Sequence, residues 1–212
     1  MNLHIIMLIH KYLTNHGFYK FEGYSQEVPG QVNDLISLTS KPDISVMEIG
    51  FNAGHSAEIV LKNNPRSNLV SFDLGEHNYG ACAKEYIDMI YPGRHTLILG
   101  DSRDTVPKFI KEHSGRNFDV IFIDGGHTYD VANADIVNCQ GLAHKDTVVI
   151  LDDTCYKEGW QYGCTVDVTK AWIDNIRTGL ISEIGKNDYE PARGMSWGKY
   201  TTASTVSRNS SI

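Results

Sequence analysis

Two apolar runs in the second half of this 212-residue chain end in carboxylates. Asp119-Val-Ile-Phe-Ile-Asp124 is followed by Gly125-Gly126-His127, and Thr147-Val-Val-Ile-Leu151 by Asp152-Asp153. Carboxylates are hard oxygen donors and suit Mg²⁺ or Mn²⁺ better than zinc. Two unit charges ~4 Å apart repel by roughly 4 kcal/mol at an effective dielectric of ~20. If Asp124, Asp152 and Asp153 converge, they therefore call for a cation, protonation or outward rotation. An imidazole beside them, with a reference pKa of ~6.5, can take a proton near neutral pH. Gly125-Gly126 lets the backbone turn so that the ring faces a pocket. The alternatives are plain: an aspartate that caps its own loop and never meets Asp124, and a His127 that is merely exposed.

A second constellation lies earlier. Val46-Met-Glu-Ile-Gly-Phe-Asn-Ala-Gly-His-Ser56 reads as a buried strand, a glycine turn at Gly50 and Gly54, and a helix start. That geometry leaves backbone N–H groups facing a ligand. Its spacing is neither the Gly-x-Gly-x-x-Gly of dinucleotide folds nor a phosphate loop. Asn68-Leu-Val-Ser-Phe-Asp73 is a second strand. Asp73 stands where an acidic side chain can reach ribose hydroxyls beside a glycine loop, although a strand-end Asp is also a common turn former.

These residues need elements to hold them. Strands over 46–49, 68–73, 96–100, 119–124 and 147–151 alternate with helices over 56–62, 81–90, the 102–110 region and from after Asp130 to about Leu142, which implies a parallel sheet with right-handed crossovers. Each strand ends in polar, mostly acidic residues. In such sheets the ligand crevice lies outside the carboxyl ends of the strands. Glu48, Asp73, Asp101, Asp124, Asp152 and Asp153 are thus expected along one edge. Val168–Ile176 reads as a helix with Trp172 and Ile176 inward, and 180–184 and 195–200 as a closing antiparallel pair. Helical patterns also cover 2–15, through Ile5, Ile6, Leu8, Ile9, Tyr12 and Leu13, and 31–40, which either packs on the sheet or carries the 25–30 loop over a pocket. The aromatic 154–168 loop, with Tyr156, Trp160 and Tyr162, is either a substrate lid or core. Thr201–Ile212 is expected to be disordered.

Bulk properties exclude several classes. The length suits one domain with a sizeable core. A net charge of −7 with no basic block argues against nucleic-acid binding. The four cysteines show no Cys-x-x-Cys spacing and read as reduced thiols, which suggests a cytoplasmic protein. Leu3–Ile9 is too short to span a bilayer and lacks signal-peptide flanks, so no membrane association is expected.

The motifs from about Gln26 to Tyr200 resemble those of class I S-adenosylmethionine-dependent methyltransferases, of the metal-dependent O-methyltransferase type similar to catechol and macrolide-sugar enzymes. Glu48-Ile-Gly-Phe-Asn-Ala-Gly-His-Ser56 matches Glu-x-Gly-x-x-x-Gly-x-Ser. The resemblance implies that Glu48, Gly50, Asn52, Gly54 and Ser56 bind the methionine part of S-adenosylmethionine, that Asp73 binds its ribose, and that Asp101 and Ser102 contact its adenine. It puts Asp124 at both the cofactor and the metal, with Asp152 and Asp153 as the other ligands of Mg²⁺ or Mn²⁺. His127 falls on the general base, a lysine in the catechol branch and a histidine in the sugar branch. Asp153 departs from the catechol branch, which has Asn there. The implied fold is a doubly wound, mostly parallel seven-stranded Rossmann-like sheet with an antiparallel last strand. The domain would occupy 41–200, behind N-terminal helices (1–40) that cover the substrate and cofactor.

The activity so implied is Mg²⁺-dependent methylation of a hydroxyl on a small molecule such as a sugar, polyketide or phenol. Positioning does most of that work. If His127 is not the base, Lys157 or Lys170 could act instead. Two other classes stay open: the same fold used for another, hydroxylase-like reaction or a dinucleotide oxidoreductase, and a non-catalytic binding module. Whether the protein forms a homo-oligomer is left open.

Overall fold

The computed structural model describes residues 8–23, 28–161 and 163–201. The first turns of the 2–15 helix with Ile5 and Ile6, the first half of the 25–30 loop, Tyr162 and the tail beyond Thr201 lie outside the described residues. Seven strands form one sheet in the order β3-β2-β1-β4-β5-β7-β6. They are β1 (Ser45–Ile49), β2 (Asn68–Asp73), β3 (His95–Leu99), β4 (Phe118–Ile123), β5 (Ala143–Asp152), β6 (Ile181–Tyr189) and β7 (Arg193–Tyr200). The first five run parallel, and β7 is antiparallel to both β5 and β6. The expected sheet is therefore the one observed. Strand order reverses beside β1, which pairs with β2 on one side and β4 on the other. That switch point opens a crevice at the carboxyl ends.

The period of two along each strand splits the core between the two faces. Val46, Val120, Phe122 and Ile150 face α1 (Leu8–Asn15), α2 (Pro29–Leu38), α3 (His55–Asn63) and α4 (Gly80–Ile90). Met47, Ile49, Ile121, Ile123, Val149 and Leu151 face α5 (Ser102–Glu112), α6 (Tyr129–Cys139) and α7 (Cys164–Arg177). The N-terminal helices share the first core, because Ile9, Leu13 and Leu35 are wholly buried in it. Among the described residues no helix is long and apolar enough to cross a membrane.

Three boundaries differ from expectation. α7 begins four residues early, at Cys164 after the positive-φ Gly163. Val168, Ala171, Trp172 and Asn175 then form its buried stripe. β5 starts at Ala143, because Phe118 on the neighbouring strand pairs with it. β6 extends to Tyr189 through Gly185-Lys-Asn-Asp, residues that favour turns. Pairing with β7 outweighs that local preference, and the ladder shifts register at Gly185, where a Cβ would stand 2.5 Å from the Trp197 ring.

The first core also buries carboxyls. Glu58 is fully buried on α3 and accepts a hydrogen bond from the Tyr86 hydroxyl at 2.8 Å. Burial pushes it up to about 7, and does the same to Glu48; Asp135 on α6 is pushed up to about 6. Between the ordinary carboxylate range and these values the folded chain holds protons that the unfolded chain has released. The contribution of these three groups to stability therefore falls as pH rises through that window and is fully present below it. The melting temperature is expected to drop between pH 5 and pH 8, and Glu58→Gln, which keeps the shape without the ionisation, should flatten that slope. An unchanged slope in a calorimetric pH series would disprove the contribution of Glu58.

Candidate active site

A cavity of about 530 Å³ opens over the carboxyl ends of β1, β2, β4 and β5. Its floor depends on one close approach. Gly50 leaves β1 with a φ of +98°, and a Cβ there would lie 1.9 Å from the carbonyl oxygen of Asp124. The loop stays pinned because the Gly50 N–H donates to Phe72 O at 2.7 Å and the Asp124 N–H to Ile49 O at 2.8 Å. Only glycine fits. Beyond it the chain turns at Asn52, also at positive φ, and enters α3 at Gly54.

Of the first motif, Gly50 and Asn52 line the cavity, whereas Glu48, Gly54 and Ser56 do not. Glu48 does not join the acidic edge. It lies inside β1 on the α3 side, 1% exposed, where the hydroxyls of Ser56 (2.8 Å) and Ser71 (2.6 Å) donate to its two oxygens. The Ser71 hydroxyl also lies 2.8 Å from Nε2 of His95, a buried ring stacked on Phe51. Glu48, Ser56 and Gly54 thus brace the loop from beneath.

Asp73, Asp101, Ser102, Asp124, Asp152, Asp153 and His127 all line the cavity. Asp73 accepts from the N–H groups of Asn52 (2.8 Å) and Gly75 (2.7 Å), so the strand-end turn role and an open face toward the cavity coexist. Asp101 caps α5 through the Arg103 N–H at 2.9 Å and pairs with the Arg103 guanidinium at 2.6 Å, which holds its carboxyl near 2.

The three aspartates expected to converge do influence one another. Burial first, then the neighbouring carboxylates, raise Asp124 and Asp152 well above the usual range. Asp152 is 6% exposed; its Oδ2 accepts from Gln31 Nε2, and its Oδ1 has no partner among the described residues. Asp153 turns at a φ of +56°, with Oδ2 3.0 Å from His127 Nε2 and Oδ1 3.8 Å from Arg193 Nε. Hydrogen bonding to Asp153 raises His127 above its ordinary value against the opposing effect of burial. Oxygen donors and an orphaned buried oxygen on one cavity wall suit a hard divalent cation, although among the described residues the donors that stand within 4.8 Å of one another are His127, Asp153 and Cys164.

Sequence reasoning missed Glu22, Gln31, His77, Cys164 and Arg193. Glu22 is brought in by the segment after α1: Asn52 Nδ2 donates to its carbonyl, and its carboxylate meets His77 Nε2 at 2.6 Å. Nothing local in the sequence announces a contact between residues 22 and 77. The lysines considered as substitute bases stand elsewhere. Lys157 lies over the Trp160 ring and near Glu190, Lys170 pairs with Asp174, and neither lines the cavity. Tyr156 packs on the α5–α7 core, and neither it nor Trp160 lines the cavity.

Residues 47–154, just over half of the chain, match the family model described as a methyltransferase domain. The chain belongs to this methyltransferase family. It is 25% identical over 126 residues to catechol O-methyltransferase of Sus scrofa, covering 58% of this chain and 67% of that one. It is 22% identical over 129 residues to the Mus musculus enzyme, covering 60% and 48%. The match thus spans from about half to two thirds of these relatives' lengths. Among solved structures, the O-methyltransferase from Bacillus cereus in complex with SAH superposes with a TM-score of 0.71 at 16% identity, over 92% of this chain and 90% of that one. TomG from Streptomyces achromogenes, an O-methyltransferase in complex with SAM, does so at 0.68 and 14%, over 94% and 89%. The expected class I methyltransferase is met in family and in fold.

Within this family member, Gly50→Ala should abolish cofactor binding, because the new methyl group cannot coexist with the Asp124 carbonyl. A calorimetric titration with S-adenosylhomocysteine checks this, and near-normal affinity would show that the loop can move aside.

Proposed function

We propose that the protein transfers a methyl group from S-adenosylmethionine to a hydroxyl oxygen of a small molecule, with a divalent cation, Mg²⁺ or Mn²⁺, beside the acceptor. The observation that carries this reading is the gathering of Asp124, Asp152 and Asp153 in one cavity, with an orphaned buried oxygen on Asp152 and His127 on Oδ2 of Asp153. Catechol O-methyltransferases among the relatives and the SAH- and SAM-bound neighbours support the choice of donor and acceptor atom.

Gly50, Asn52 and Asp73 hold the cofactor along the β1–β2 side, with Asp101 and Ser102 at its far end. The three aspartates would hold the cation, and Gln31 fixes the carboxylate of Asp152. A bound cation supplies Lewis acidity and a template for the acceptor oxygens. Asp153 engages His127 through Nε2, which leaves Nδ1 as the basic atom of the neutral ring. His127 accepts the hydroxyl proton at Nδ1 as the oxygen takes the methyl group. Orientation by Asp153 keeps the ring in that tautomer.

Three measurements test the reading. S-adenosylhomocysteine should bind and raise thermal stability, and Asp73→Ala should weaken it; absence of binding would remove the methyltransferase activity altogether. Turnover of a hydroxylated acceptor should vanish in EDTA and return with Mg²⁺ or Mn²⁺, and undiminished turnover under thorough chelation would leave the cation without a role. His127→Ala should lower turnover by about 10²–10⁴, the range for a positioned base, with cofactor affinity little changed. Near-normal turnover in that variant would take the histidine out of the reaction.

A further inference from the structure

Beside the three aspartates lies a mixed donor set. His127 follows β4, Asp153 follows β5, and Cys164 opens α7, yet one ligand atom from each lies within 4.8 Å of the other two. His127 Nε2 and Asp153 Oδ2 are 3.0 Å apart, and Arg193 occupies the opposite oxygen of Asp153. All three line the same cavity as Asp152, whose Oδ1 is buried and unpartnered among the described residues. Cys164 is half-buried and free of any disulfide.

We infer that His127, Asp153 and Cys164 form a site for a zinc-class cation that shares Asp153 with the three aspartates of the proposed magnesium site. The chemistry differs from an all-oxygen site. One thiolate, one imidazole and carboxylate oxygens are the ligands of tetrahedral zinc, with bonds of about 2.0–2.3 Å. Donors so arranged stand under about 4 Å apart, so the trio closes on an ion with shifts of about 1 Å or less. The Cys164 thiol gives up its proton to solvent on binding, and the cation takes the lone pair of Nε2. The ring then carries its proton on Nδ1, the atom that serves as base in the proposed reaction. Resting on that reading, the zinc-bound form is an inhibited form.

The test uses the full chain and the bare ions. Co²⁺, a spectroscopic stand-in for zinc, should give a thiolate-to-metal charge-transfer band in the near ultraviolet with the wild type. The band should be lost in Cys164→Ser, and Zn²⁺ affinity by calorimetry should fall at least tenfold in both Cys164→Ser and His127→Gln. S-adenosylhomocysteine binding, measured on the same samples, reports folding and judges the methyltransferase reading separately; its failure would leave a Cys164-dependent band standing. A wild type with no band, a band that survives Cys164→Ser, or equal Zn²⁺ affinity across the variants would overturn the site.

Discussion

The contact between Gly50 and the backbone of Asp124 is the constraint from which the site follows. It fuses the loop after β1 to the end of β4 at the one place where the strand order reverses. Because no side chain can intervene, the β1–β2 side of the cavity and the acidic side meet through a backbone contact. Glu48, Ser56 and Ser71 support that contact from within the sheet. The motif thus divides its labour: glycine and asparagine on the surface of the cavity, carboxylate and hydroxyl beneath it.

Electrostatics then decides what the acidic side can be. Asp152 is buried and Asp124 half-buried, and desolvation together with the charge of Asp153 raises the cost of ionising both. Three compensations surround them: Gln31 donates to one oxygen, His127 to another, and Arg193 stands near a third. None of them satisfies the inner oxygen of Asp152. An imidazole held on a carboxylate of this cluster feels both the protein and whatever charge the cluster carries. The proton affinity of His127 would therefore change with any cation bound beside it.

Much of this was legible in the residues. Strand-end carboxylates mark the cavity edge because a parallel sheet sends every strand the same way, so Asp73, Asp101, Asp124, Asp152 and Asp153 could be gathered before any coordinates. Glu48 misled because it sits one residue inside its strand, where alternation turns it to the helix side. What could not be read was long-range. Gln31 reaches Asp152 across 121 positions, and Glu22 meets His77 across 55. Cys164 enters because α7 starts earlier than its apolar periodicity indicates. Such pairings depend on how α1, α2 and α7 settle on the sheet, and no local pattern encodes them.

The left-handed turn at Asp153 narrows the residues that can stand there. At a φ of +56° side chains other than Asn and Asp are strained, and glycine would bring no ligand. The backbone thus admits, as ligating residues, two that are nearly identical in shape and differ by one unit of charge. Exchange between them changes the formal charge of the cleft by one without moving the chain. With a cation held there as proposed, that exchange would act as a dial on its affinity while leaving the architecture intact.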